Sequence, residues 1–123
     1  MADPARISRI LVIEEELLIA QGIVEVLIDA GFEFIDVAGT IELALGLIEN
    51  GVFSAASLDA NLAGVSAIPI AAALEARGVP YVVLSAVSFA QQPLGLRHTP
   101  FLRKPCRPAA LIGALTDLCM KQQ

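Results

Sequence analysis

An α/β fold built on a parallel, doubly wound sheet is predicted by three observations. Short apolar runs alternate along the chain with longer amphipathic segments, as repeated βα units require. One of those runs, residues 81–84, contains only Tyr81, Val82, Val83 and Leu84, as expected of a strand covered on both faces. Finally, chemically distinctive side chains stand at run ends. Glu14 and Glu15 follow residues 10–13, Asp59 follows 55–58, Ser85 follows 81–84, and Lys104 with Pro105 follows a run around Phe101 and Leu102. In a parallel α/β sheet the carboxyl ends of neighbouring strands border one crevice, where ligands bind.

Residues 9–13 read as the first strand. Residues 16–30 read as a helix, with Gln21, Glu25 and Asp29 as a polar stripe at four-residue spacing and Gly31 as its stop. Residues 34–38 form the second strand. Thr40 is a good N-cap for a helix reaching about residue 49, although Leu43 rather than Glu stands three positions on, so the capping box is incomplete. Asn50 and Gly51 end that helix. Residues 55–58 are the third strand, and 66–77 a third helix capped by Ser66, with Pro69 in its first turn where a missing N–H costs little. Gly78 and Pro80 lead into the fourth strand. Residues 87–100 hold Pro93, Gly95 and Pro100, so a helix there is short or irregular. Residues 100–103 make the fifth strand, and Pro108 opens a last helix running to about residue 120.

At 123 residues the chain is one domain, residues 1–123, large enough for a real core. Its 56% hydrophobic and 17% charged content excludes disorder. A net charge of −5 argues against a nucleic-acid partner; Arg103, Lys104 and Arg107 are too few to reverse that. No apolar stretch reaches the ~18 residues of a membrane span, and Glu14 to Glu16 interrupt the run behind Arg6 and Arg9, so no signal peptide is read. A cytoplasmic protein without nucleic-acid or membrane partners is expected. Cys106 and Cys119 have no metal-ligand spacing and are expected to be reduced thiols. His98, the single histidine, reads as a surface loop residue.

Three acids, a hydroxyl and an ammonium converging on one crevice suit a divalent cation and a phosphoryl group on a carboxylate. In order and position they resemble the receiver domain of bacterial two-component response regulators. Arg9 through Glu16 resembles that family's first strand and acidic pair. Leu58-Asp59-Ala60-Asn61-Leu62 resembles its phosphoacceptor segment, Val82-Val83-Leu84-Ser85 its hydroxyl-bearing strand, and Lys104-Pro105 its Lys-Pro pair. The resemblance spans essentially the whole chain. It implies a flavodoxin-like five-stranded sheet, order 2-1-3-4-5, with helices on both faces.

It also implies roles. Asp59 would be nucleophile and metal ligand, with Glu14, Glu15 and the Asn61 carbonyl as further ligands of Mg²⁺. The ion would neutralise charge as a carboxylate attacks a phosphorylated donor. Lys104 would pair with the phosphoryl group, Ser85 would hydrogen-bond one of its oxygens, and Ser85 with Phe101 would form the switch. The peptide before Pro105 falls where the family's is cis. A sensor histidine kinase or histidine phosphotransfer protein is the implied phosphoryl source, and an output protein, reached through a switched surface, the implied target.

Departures from the pattern are informative. Glu15 stands where Asp is usual, and one extra methylene should weaken Mg²⁺ binding in a site that demands near-octahedral geometry. Ala63 stands where Pro is common, and Phe101 where an aromatic, often Tyr, acts as a switch. The expected function is therefore a single-domain phosphoacceptor, not a turnover enzyme, with no output domain following the last helix. Two alternatives remain: a pseudo-receiver that binds proteins without phosphorylation, and a haloacid-dehalogenase-like phosphatase. The latter places its nucleophile on the first strand with an acid two residues on, an order this chain lacks. Leu18, Gly22 and Val26 beside the first helix's polar stripe should leave apolar groups near solvent, a contact surface that also allows a homodimer. Residues 87–100 should be the least stable segment and the switch.

Overall fold

A computed structural model describes residues 8–98 and 100–121; Arg6 of the N-terminal reading lies outside them. In chain order the elements are β1 (Arg9–Ile13), α1 (Leu17–Asp29), β2 (Phe34–Ala38), α2 (Ile41–Asn50), β3 (Ala55–Asp59), β4 (Asn61–Leu62), β5 (Val65–Ser66), α3 (Ile68–Ala76), β6 (Tyr81–Ser85), β7 (Phe101–Arg103) and α4 (Pro108–Met120). Two 3₁₀ turns, Phe89–Gln91 and Leu94–Leu96, occupy the stretch before β7.

Five strands form one sheet in the order β2-β1-β3-β6-β7, and every pairing is parallel. Counting only these five, the order is the expected 2-1-3-4-5, so the flavodoxin-like doubly wound architecture stands. Side chains alternate across the pleat and sort into two cores. Leu11, Ile13, Ala56, Leu58 and Val83 pack with Ala44, Ile48, Ile70 and Leu74 of α2 and α3. Ile10, Val12, Ala55, Val82 and Leu84 pack with Leu27, Leu111, Leu115 and Leu118 of α1 and α4. All five residues of β3 and of β6 are buried, as interior parallel strands require. On β3 the Ser57 hydroxyl is buried without a hydrogen-bond partner among the described residues.

Most element boundaries match the sequence reading within a residue or two, and Thr40 does cap α2 through Leu43 N–H at 3.1 Å. The third helix is the clearest correction. It begins at Ile68, not residue 66, because Ser66 belongs to the small antiparallel hairpin β4–β5. Ala63 and Gly64, both at positive φ, turn that hairpin. The Ser66 hydroxyl still accepts the Ile68 N–H at 3.3 Å. The fifth strand of the sheet starts at Phe101 rather than residue 100. Where a fourth helix would lie, the described residues form only the two 3₁₀ turns, as the prolines and Gly95 lead one to expect. No helix among the described residues is long and apolar enough to cross a membrane.

Candidate functional site

Strand register brings the sequence-predicted residues to one edge of the sheet. Ile13 is level with Leu58, Asp59 with Leu84, and Ser85 with Arg103. The chain ends of β1, β3, β6 and β7 are thus aligned, and Glu14, Asp59, Ser85 and Lys104 follow or close them. Backbone bonds carry the alignment past the strands: Glu14 N–H donates to Ala38 O at 3.0 Å, Ala60 N–H to Leu84 O at 2.9 Å, and Lys104 N–H to Ser85 O at 2.8 Å.

Lys104 organises the centre. Its Nζ donates to Asp59 Oδ2 at 3.1 Å and to Glu14 Oε1 at 3.3 Å. Both carboxylates are buried, Glu14 3% and Asp59 6% exposed, so the ammonium offsets charge that solvent reaches poorly. The remaining carboxylate oxygens hold the local turns: Asp59 Oδ1 accepts the Asn61 N–H and Glu14 Oε2 the Glu16 N–H, each at 3.3 Å. The Asp59 contact is an Asx-type turn, but it occupies one oxygen only and leaves the other facing Lys104.

Burial is the main cause that drives the Asp59 carboxyl up to about 6. Lys104 opposes this by hydrogen bond and charge, and Glu14 adds to it. Lys104 shows the reverse balance. Burial alone would lower its pKa, yet Asp59 and then Glu14 outweigh burial and hold the ammonium above its ordinary value. Asp59 is thus ionised only at a cost, with the Lys104 ammonium held beside it.

A cleft of ≈ 490 Å³ opens over this centre, bordered by Glu15, Asp59, Asn61, Ser85, Gln92 and Lys104. Glu15 and Asn61 are exposed there, and the Asn61 side chain is turned to Gly64 N–H at 2.8 Å. Among the described residues no three His, Cys, Asp or Glu side chains are grouped closely enough to hold a metal as they stand. Lys104 brings Glu14 and Asp59 together, while Glu15 is exposed in the wall of the cleft. The donors nonetheless suit a hard cation, being oxygens throughout, and a buried carboxylate with a raised pKa is a group that a cation would relieve.

Ser85 lies 5% exposed in the cleft wall. Its hydroxyl accepts the Val87 N–H at 3.2 Å and the Gln92 Nε2–H at 2.6 Å. Gln92 is itself 4% exposed and was not legible in the sequence, since a glutamine in a Pro- and Gly-containing stretch carries no periodic signal. Phe101 is half-buried on β7, with its ring edge-on to Phe89 at 5.5 Å. His98 corrects its sequence reading. It is half-buried, stacked on Tyr81 with centroids 3.8 Å apart, and its Nε2 lies 2.9 Å from Tyr81 O. Both cysteines are free thiols, Cys119 buried and Cys106 half-buried. The peptide joining Lys104 to Pro105 is cis.

A larger cavity, ≈ 670 Å³, runs between α1 and α4 and is lined mainly by Ile19, Ile23, Val26, Pro105 and Leu111. Only Glu14 and Lys104 bring charge to it, and both are ion-paired in the centre with Asp59, so the rest of its wall is apolar. Of the apolar flank expected near solvent, Leu18 is 82% exposed and Gly22 is exposed, while Val26 is half-buried in this cavity wall; Leu17 beside them is 68% exposed.

No protein-family model and no curated protein matches the chain. Solved structures do. SdrG from Sphingomonas melonis Fr1 is 33% identical, with a TM-score of 0.76, covering 90% of this chain and 95% of that one. The receiver domain of the Francisella response regulator 1452 is 24% identical at a TM-score of 0.83, covering 94% and 99%. The response regulator protein TrrA from Thermotoga maritima, in complex with Mg²⁺ and beryllofluoride, is 24% identical at a TM-score of 0.79, covering 91% and 99%. With the strand order, the aligned strand ends and the acid–hydroxyl–lysine cleft already in place, the chain belongs to the response regulator receiver domain family.

Proposed function

We propose that this protein is a phosphoacceptor that takes a phosphoryl group onto Asp59 and signals through a switched protein-binding surface. The observation that carries the reading is the Lys104 ammonium held between the buried Asp59 and Glu14 carboxylates at the strand ends. An Asp59 Oδ atom attacks the donor phosphorus; the P–Oδ bond forms as the bond to the leaving group breaks, and the leaving group departs with its electron pair. Lys104 would exchange its carboxylate partner for a phosphoryl oxygen, and Ser85 would donate a hydrogen bond to another. Glu14, Glu15, Asp59 and the Asn61 carbonyl would hold Mg²⁺, whose part is to offset the charge gathering on the transferred group. The mimic-bound state of TrrA is consistent with that chemistry in a relative of the same fold.

The protein is the acceptor in this reaction rather than a catalyst that turns over an external substrate. A sensor histidine kinase or histidine phosphotransfer protein supplies the group, and an output protein reads the result. The chain acts as one domain, and residues 87–100, which include the 3₁₀ turns Phe89–Gln91 and Leu94–Leu96, are the segment that responds. The pseudo-receiver is the second reading, favoured by Glu15 standing where Asp is usual, since the longer acid should weaken Mg²⁺ binding. The phosphatase reading lacks its acid, since Asn61 stands two residues after Asp59.

Mass spectrometry after incubation with acetyl phosphate and Mg²⁺ tests the proposal. The native chain should gain one base-labile acyl phosphate and Asp59→Asn none. Equal incorporation by the two would remove Asp59 from the role, and none in either would favour the pseudo-receiver.

A further inference from the structure

A serine hydroxyl has two acceptor lone pairs and one proton. At Ser85 both lone pairs are taken, by the Val87 N–H and by the Gln92 side-chain amide. What remains is the proton, so the hydroxyl is left able only to donate, in the wall of the cleft that holds Asp59 and Lys104. Val87 is a near neighbour in sequence and its contact is a local turn. Gln92 is seven residues away, and its bond at 2.6 Å is the shorter of the two.

Gln92 is in turn fixed by its own segment. Its N–H donates to Phe89 O at 3.2 Å, and its carbonyl accepts from Arg97 Nε at 2.8 Å. The same guanidinium donates to Ala90 O at 3.0 Å, while Ser88 and Gln91 form a capping box at the first 3₁₀ turn. A buried amide must find a partner, and the one it finds is the site hydroxyl. Any shift of Ser85 is thus passed to a residue on which both 3₁₀ turns close.

We infer that Gln92 is a positioning residue: its amide fixes Ser85 as a donor toward the cleft and ties both 3₁₀ turns to the site. What Ser85 donates to rests on the phosphoacceptor reading above; the tie itself does not.

A double-variant cycle on the full chain tests this, using Gln92→Met, Ser85→Ala and the pair. One readout is amide hydrogen exchange of residues 89–97 in the free protein. The other is the initial rate of phosphate uptake from acetyl phosphate with Mg²⁺. Loss of one hydrogen bond corresponds to roughly a threefold to tenfold effect. Gln92→Met should slow uptake by about that factor and add nothing in the Ser85→Ala background, which a merely structural role would not reproduce. Ser85→Ala alone should speed exchange across residues 89–97. Gln92→Glu, whose carboxylate can only accept, should draw the Ser85 proton away and slow uptake at least as much as Gln92→Met. Additive effects of the two substitutions would overturn the proposal, as would exchange left unmoved by Ser85→Ala or uptake unaffected in Gln92→Glu. If the native chain takes up no phosphate but the exchange link holds, the phosphoacceptor reading fails while the tie stands.

Discussion

Replacing Asp59 by Asn should stabilise the fold at neutral and alkaline pH. Burial first, with Glu14 adding to it, raises the Asp59 pKa from its ordinary 3.8 to about 6, even after the opposing effect of Lys104. A group whose folded pKa is raised adds stability below its unfolded pKa and loses it as pH climbs through the folded one. Asp59 therefore favours folding below about pH 4 and weakens it once ionised above about pH 6. At about 1.4 kcal/mol per pKa unit the displacement sets a ceiling of about 3 kcal/mol. Solvent reaches the pair through the cleft, where Lys104 is 28% exposed, so screening brings the expected gain to about 2 kcal/mol. Asn keeps the shape of the protonated acid without its charge, and Lys104 retains Glu14 as a partner. Urea unfolding in EDTA, followed by circular dichroism near pH 4 and near pH 8, measures the difference. The variant should gain at the higher pH and match the native chain at the lower one. Added Mg²⁺ should stabilise the native chain and not the variant, because only the former offers the carboxylate. A variant no more stable than the native protein at the higher pH, or a gain that ignores pH, would refute the argument that burial strains this acid.

Two further outcomes follow from particular side chains. Glu15→Asp should tighten Mg²⁺ binding several-fold by calorimetric titration, since the shorter acid restores the usual ligand length; unchanged or weaker binding would mean that the backbone already accommodates Glu. Ser57→Ala should raise stability by about 1 kcal/mol in urea unfolding, because it removes a buried hydroxyl without a partner among the described residues. A loss would show that the hydroxyl's packing outweighs its desolvation.

The periodicity of apolar residues determined the fold. Residues 10–13, 55–58 and 81–84 are apolar enough to lie between two helical layers, and the segments between them are amphipathic with a helical period. The site was largely legible for the same reason. In a parallel sheet all strands run one way, so residues that follow strands in sequence gather at one edge in space. Glu14, Asp59, Ser85 and Lys104 could be assembled from that rule and the family resemblance. Tertiary structure alone decided which of them touch. Lys104 pairs with both Asp59 and Glu14 across separations of 45 and 90 residues, whereas adjacent Glu15 is exposed in the cleft wall, a difference that spacing does not encode. Ser66 left its expected capping position because a two-residue strand pairing, too short to show a period, claimed it. Gln92 and His98 were invisible for a related reason. Residues 87–98 have no repeating pattern, so their burial is set by the strand and cleft they lie against, through Ser85 and Tyr81, and not by their own neighbours in sequence.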